Sequence, residues 1–176
     1  MASERTSSLF FPTSLQLTVL AVCLLAGPRN AKAANNCAWL NEATASGLLG
    51  GDAVGESTAP AAGQPATCTF TQNDAGVKRT LRITVEVTPN AHARVSAITQ
   101  GCGADLSPLK AIGNEATACA ADDRKGMMGE RVIGRVRDQV FTITIGSTLK
   151  NDPVLTREAL KSRIYTAAEQ VAGNLF

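Results

Sequence analysis

From Arg131 to Ile145 the chain reads as two adjacent strands, and their pairing constrains the architecture more than any other stretch. Arg131 to Arg137 and Val140 to Ile145 alternate apolar residues with polar or small ones, the period of a strand with one buried and one wet face. If Asp138-Gln139 is a two-residue turn, Val136 faces Phe141, Gly134 faces Ile143 and Val132 faces Ile145, while Arg135 meets Thr142 and Ile133 meets Thr144. A slip of one residue would mix the two sets, so pattern and turn agree. Asp-Gln is not a favoured hairpin dipeptide, which leaves a longer turn open.

The same period recurs upstream. Cys68 and Phe70 alternate with Thr67, Thr69 and Thr71, and after a turn at residues 73–76, Leu81, Ile83, Val85 and Val87 alternate with Arg82, Thr84, Glu86 and Thr88. Helical spacing appears three times. Ala38 to Leu49 follows the capping residues Asn35 and Asn36, with Trp39, Leu40, Ala43 and Leu48 as its buried stripe, and Gly50-Gly51 stops it. Asn90 to Gln100 carries Ala91, Val95 and Ile98 on one face. The last helix has Asp152 to cap it, Pro153 at its first position, and Leu160, Ile164, Ala167, Ala168, Val171 and Leu175 at three- and four-residue steps. Residues 50–65, rich in Gly, Ala and Pro, predict a loop, and Leu106 to Gly113 an irregular stretch before a strand at Glu115 to Ala120. The expected order is α-β-β-α-β-β-β-α. It describes an α+β domain with a largely antiparallel sheet packed by helices.

The N-terminus reads as an export signal. Arg5 precedes an apolar stretch from Leu15 to Ala26, and Ala31-Lys32-Ala33 offers the small-x-small pattern of a cleavage site before Ala34. The apolar stretch is shorter than the roughly 20 residues that span a bilayer. Lipidation at Cys23 ranks second, because Val22 is too large for a lipobox. Residues 1–33 are therefore expected to leave a single domain, 34–176, that is periplasmic or secreted. The whole chain has 17 Lys and Arg against 15 Asp and Glu, but the signal holds Arg5, Arg29, Lys32 and Glu4, so the domain is balanced at 14 each. A neutral domain has no long-range pull on nucleic acid or anionic lipid.

Cys37, Cys68, Cys102 and Cys119 follow the signal, an even count that favours disulfides in an exported chain. Of three pairings, Cys37–Cys68 and Cys102–Cys119 each join neighbouring elements and are preferred. Zinc would want closely spaced ligand pairs, whereas no Cys-x-x-Cys occurs and His92 is the single histidine. No metal and no cofactor are expected.

The order of elements, with Ala111-Ile112-Gly113-Asn114-Glu115-Ala116 ahead of a strand hairpin and a closing helix, resembles secreted bacterial domains of unknown function with the PsbP-like fold, including the LpqN-type lipoproteins of mycobacteria. Residues 112–116 match that family's hydrophobic-Gly-x-Glu-Ala turn, and Cys37 and Cys68 match its cysteines in the first helix and first strand. The chain departs from it in lacking a convincing lipobox and in carrying Cys102 and Cys119. The resemblance implies a non-enzymatic accessory or binding module outside the cytoplasm, helices on both sheet faces, and no catalytic residues to carry over.

Candidate chemistry is sparse. A triad enzyme would have to use His92, and no Gly-x-Ser-x-Gly is present. Glu86, Asp105, Glu115 and Glu130 can supply a glycosidase pair, as acids in any chain of this size can. The loop at residues 121–129 reads as an exposed turn, or as the contact surface of a secreted inhibitor or effector, with Met127 and Met128 pliable. The best functional surface is the wet sheet face: Thr67, Thr69, Thr71, Arg82, Thr84, Arg135, Arg137, Thr142 and Thr144 share its parity. Threonine hydroxyls beside guanidinium forks suit an acidic peptide, a glycan or a partner strand. A binding module is thus the leading expectation, with a small hydrolase or a loop-presenting inhibitor as alternatives.

Overall fold

The computed structural model describes residues 37–58, 60–61, 63–103, 105–121 and 127–176. Residues 1–33, with the expected signal and Cys23, lie outside them. Seven strands form one antiparallel sheet in the order β1-β2-β3-β7-β6-β5-β4. Two meanders meet at its centre. β1 (Val54–Thr58), β2 (Ala66–Asp74) and β3 (Val77–Val87) fold back and forth, then helix α2 (Ala91–Thr99) carries the chain to the far edge. From there β4 (Ser107–Leu109), β5 (Glu115–Ala120), β6 (Met128–Val136) and β7 (Gln139–Ser147) return, and β7 pairs with β3. The remaining helices are α1 (Glu42–Leu49) and α3 (Arg157–Leu175). The class is α+β, with helices on both faces of the sheet.

Alternation sorts the strands as expected. One face buries Phe70, Leu81, Ile83, Val132, Phe141, Ile143 and Ile145 against Leu48 and Leu49 of α1 and Leu160, Ile164 and Val171 of α3. On the other face α2 covers only a patch, where Ala91 and Val95 meet Cys119, Ile133 and Val140. Each face carries one disulfide: Cys37–Cys68 pins the segment before α1 to β2, and Cys102–Cys119 pins the end of α2 to β5. Both expected pairs are bonded, which fits an oxidising compartment. Among the described residues no helix is long and apolar enough to cross a membrane.

Four expectations need correction. Residues 54–58 and 107–109, expected outside regular structure, are the two edge strands β1 and β4. An edge strand has only one neighbour to satisfy, so a Gly-bearing sequence suffices; a Cβ on Gly55 would lie 2.9 Å from the Phe70 ring. Helix α1 begins at Glu42, not Ala38, because the Asn41 side chain accepts from the Thr44 amide at 2.8 Å. The β6–β7 turn is Arg137-Asp138, so Val136 pairs with Gln139, Gly134 with Phe141 and Val132 with Ile143. That register differs by two places and leaves every face unchanged. Its cause is steric: a Cβ on Gly134 would lie 2.6 Å from Phe141, so the ring takes the space opposite glycine.

The fourth correction concerns Asp152. Thr156 caps α3, accepting from the Ala159 amide, and Asp152 is instead buried at 2% exposure. Its carboxylate accepts two bonds from the equally buried Arg79, at 2.7 and 2.9 Å, and one from the Ser147 hydroxyl at 2.6 Å. The amides of Val154 and Leu155 donate to it as well, and Arg79 also donates to Gln72. Burial alone would push the Asp152 carboxyl up, but the Arg79 guanidinium, Ser147 and the two amides outweigh it and hold it well below the usual carboxylate range. Removing one partner strands the other charge in the core. Asp152→Ala is therefore expected to lower stability by about 3–5 kcal/mol in urea unfolding at pH 7. Because the folded carboxyl is depressed, its contribution is complete above about pH 4 and drains away as the medium is acidified further. Unfolding midpoints measured between neutral and acid pH should show that acid limb in the native chain and lose it in Asp152→Asn.

Candidate binding face

The expected binding face divides in two. Beyond the patch under α2, no described helix covers the second face of β2, β3, β7 and β6, and the strand register sets its side chains in rows. Thr69, Arg82, Thr144 and Arg131 stand side by side across four strands, and the next row is Thr71, Thr80, Gly146 and Gly129. The second row ends in two glycines, so the face sinks there. The resulting hollow, about 540 Å³, is lined by both rows together with Lys78, Thr148 and Met127. Its floor is backbone, and its rim holds three cations, Lys78, Arg82 and Arg131, and no acid among the described lining residues.

Thr84 and Thr142 stand in the row beside it, where Thr84 shares a hydroxyl contact of 3.4 Å with Thr67 and Thr142 pairs with Ile133. That row passes from open threonines to the isoleucine buried under α2. Arg135 and Arg137 do not join the hollow. Arg135 donates to Glu115 at 2.6 Å, and Arg137 lies in the β6–β7 turn at positive φ, donating its amide to Asn114 and holding its guanidinium 6.0 Å from the Phe176 ring. In their place the fold brings Arg131, Lys78 and Thr80, which sequence reasoning missed. The signal was available: Arg131 shares the parity of Ile133 and Arg135, and Lys78 and Thr80 extend the Arg82 parity to a strand start earlier than the first apolar residue suggests.

His92 makes a different cluster. Its Nδ1 lies 2.8 and 3.0 Å from the two Glu115 oxygens, and it is largely open to solvent. Burial pushes Glu115 up, but the hydrogen bonds from His92 and Arg135 and their charges prevail, so it lies below the usual carboxylate range. The pair has the contact of a base and its orienting acid, yet no described hydroxyl or thiol nucleophile hydrogen-bonds to the ring. As arranged, it ties the start of α2 to β5 and β6. Glu86 is engaged by Arg94 of α2.

Asp105 and Glu130 both line a separate cavity of about 570 Å³ beside β4, β5, β6 and α3. Glu130 is buried and faces Arg157 at 3.9 Å, and Lys161 and Tyr165 line the same cavity. Of the 121–129 loop, residues 122–126 lie outside the described residues; Ala121 and Met127 border the cationic hollow. Among the described residues no cluster of three or more His, Cys, Asp or Glu is arranged to hold a metal. No family model, curated protein or solved structure matches this chain.

The Glu115 cluster makes a measurable claim. Glu115→Gln should lower stability by about 1 kcal/mol at pH 7, the scale of a partly exposed ion pair. The depressed folded carboxyl means that this contribution is present above about pH 4 and lost below it. The unfolding curves of native chain and variant should therefore converge as pH falls through the acid range.

Proposed function

We propose that this chain is an exported, non-enzymatic binding module of the bacterial cell envelope. Residues 1–33 direct export and are removed before Ala34, and residues 34–176 bind an anionic peptide or glycan on the open half of the sheet. The observation that carries this reading is the uncovered cationic face: a row of Thr and Arg that the core does not use, beside a hollow with no acidic lining among the described residues. The two disulfides support an extracytoplasmic setting. The likeness of residues 112–116 to the PsbP-like domains supports an accessory role rather than catalysis, although Cys37 precedes α1 and Cys68 lies on the second strand rather than in the first helix and first strand. The domain's balanced charge argues against nucleic acid as partner.

A second reading has one observation in its favour. Asp105 and Glu130 share a cavity beside α3, as the acids of a small hydrolase would. Glu130 faces Arg157 there, the arrangement of an ion pair joining β6 to α3.

Mass analysis of the exported protein, with and without reduction, should give residues 34–176 with two disulfides. That protein, presented to arrays of acidic and neutral peptides and glycans, should retain acidic members. Arg82→Glu should weaken that retention at least about tenfold, with unfolding unchanged. Retention indifferent to Arg82 would overturn the binding-face reading. Turnover of a glycan that Glu130→Gln abolishes without unfolding the domain would favour the hydrolase.

A further inference from the structure

We propose that the hollow over Gly129 and Gly146 is a subsite for a phosphate ester, of the size of a sugar phosphate. This rests on the binding-module reading and names the ligand class for its face. The charge balance of the hollow is the first argument. Lys78, Arg82 and Arg131 rim it without a carboxylate partner among the described residues, whereas Arg79, Arg94, Arg135 and Arg157 each face one. Arg131 goes further: its Nε is shut off from solvent and donates to nothing. Three cations left uncompensated on one face repel each other, and an anion between them relieves that repulsion.

Register supplies the second argument. Arg82 and Arg131 both flank Thr144, one strand away on either side, so their Cα atoms are about 10 Å apart. Side chains of arginine length reach the middle of that span. Beneath it the adjoining row offers glycine on β6 and β7, so an entering group meets backbone rather than side chains. Thr80, across from Gly146, and Thr144, two residues before it on β7, add hydroxyl donors.

The donor set selects phosphate over carboxylate. One guanidinium fork satisfies the two oxygens of a carboxylate, whereas two forks, an ammonium and flanking hydroxyls suit three oxygens carrying up to two charges. The volume, about 540 Å³, leaves room for a sugar-sized remainder. A partner strand fits less well. The hollow lies on the flat of the sheet, where backbone groups are already committed to β2, β3, β7 and β6.

The test uses the exported protein, labelled with nitrogen-15 and titrated at fixed ionic strength with inorganic phosphate, glucose 6-phosphate and glucuronate. Both phosphate probes should shift the amides of Gly129, Thr144 and Gly146 saturably. Glucuronate should bind about tenfold more weakly, and Arg82→Gln and Arg131→Gln should each weaken glucose 6-phosphate by about tenfold. Thermal unfolding of both variants, and of Lys78→Gln, should match the native protein, so that lost binding is not lost folding. Shifts that fail to saturate, that glucuronate reproduces at equal strength, or that neither Arg variant alters would overturn the proposal. If phosphate fails while retention of an acidic glycan or peptide still requires Arg82, the ligand class alone is wrong; if that retention is also indifferent to Arg82, the binding face falls with it.

Discussion

The rest of the core is organised around one buried ion pair. Arg79 sits at the start of β3 and Asp152 in the segment between β7 and α3, and both are closed off from water. Neither charge can be left there alone, so the segment entering α3 has one place to go. Ser147 closes the network from the end of β7 and takes the Leu149 amide on its oxygen, while Gln72 joins it from β2. Three neighbouring strands and the approach to the longest helix are thus fixed at a single point. From there α3 runs across the sheet with Leu160, Ile164, Val171 and Leu175 inward, and the small pair Ala167-Ala168 lets its backbone lie close.

The two faces of the sheet differ because the two crossings differ. α3 needs only to fold back over the strands that precede it, and it can be long. α2 must carry the chain from the centre to the far edge so that β4 to β7 can return, and its nine residues cover only the patch around Ile133 and Val140. Whatever that helix does not reach must tolerate water, and there the strands carry Thr, Arg and Lys, with Glu56 of β1 at the outer end of the Thr69–Arg82 row. The disulfides follow the same division, one per face. Each closes a loop of a length for which restricting the unfolded chain is worth about 3 kcal/mol, enough to hold a short helix and an irregular N-terminal segment in place.

Parity was legible in the sequence and position was not. Every apolar residue of the β6–β7 pair lies on the face that alternation assigns it, because a strand has only two faces. The turn was misplaced because a shift of two registers preserves both faces, and only the contact between Gly134 and the Phe141 ring selects one. Asp152 followed by Pro153 reads as a helix start in any local window; its partner Arg79 lies 73 residues away, so no local pattern could announce it. Arg135 and Arg137 illustrate the reverse. Their parity suggested an open face, but Glu115 claims the first, and the turn takes the second out of the strand altogether.

What the fold requires of the open face can be separated from what it does not. Gly146 is imposed by strand contact, since a Cβ there would lie 2.9 Å from the Met128 carbonyl, and Gly129 is hemmed in by the carbonyls of Ile145 and Ala121 at 3.1 and 3.2 Å. The hollow is thus a consequence of how closely β6 and β7 approach. Threonine on the surrounding rows is what an exposed strand favours for its own sake. The cations are different. No contact in the sheet calls for a charge at Lys78, Arg82 or Arg131, and three like charges around one depression cost stability rather than add it. Among the described lining residues no acid stands with them, as Glu115 stands beside Arg135 and Glu86 beside Arg94. That these cations meet where backbone geometry has already made room is the physical reason for proposing this face as a binding surface.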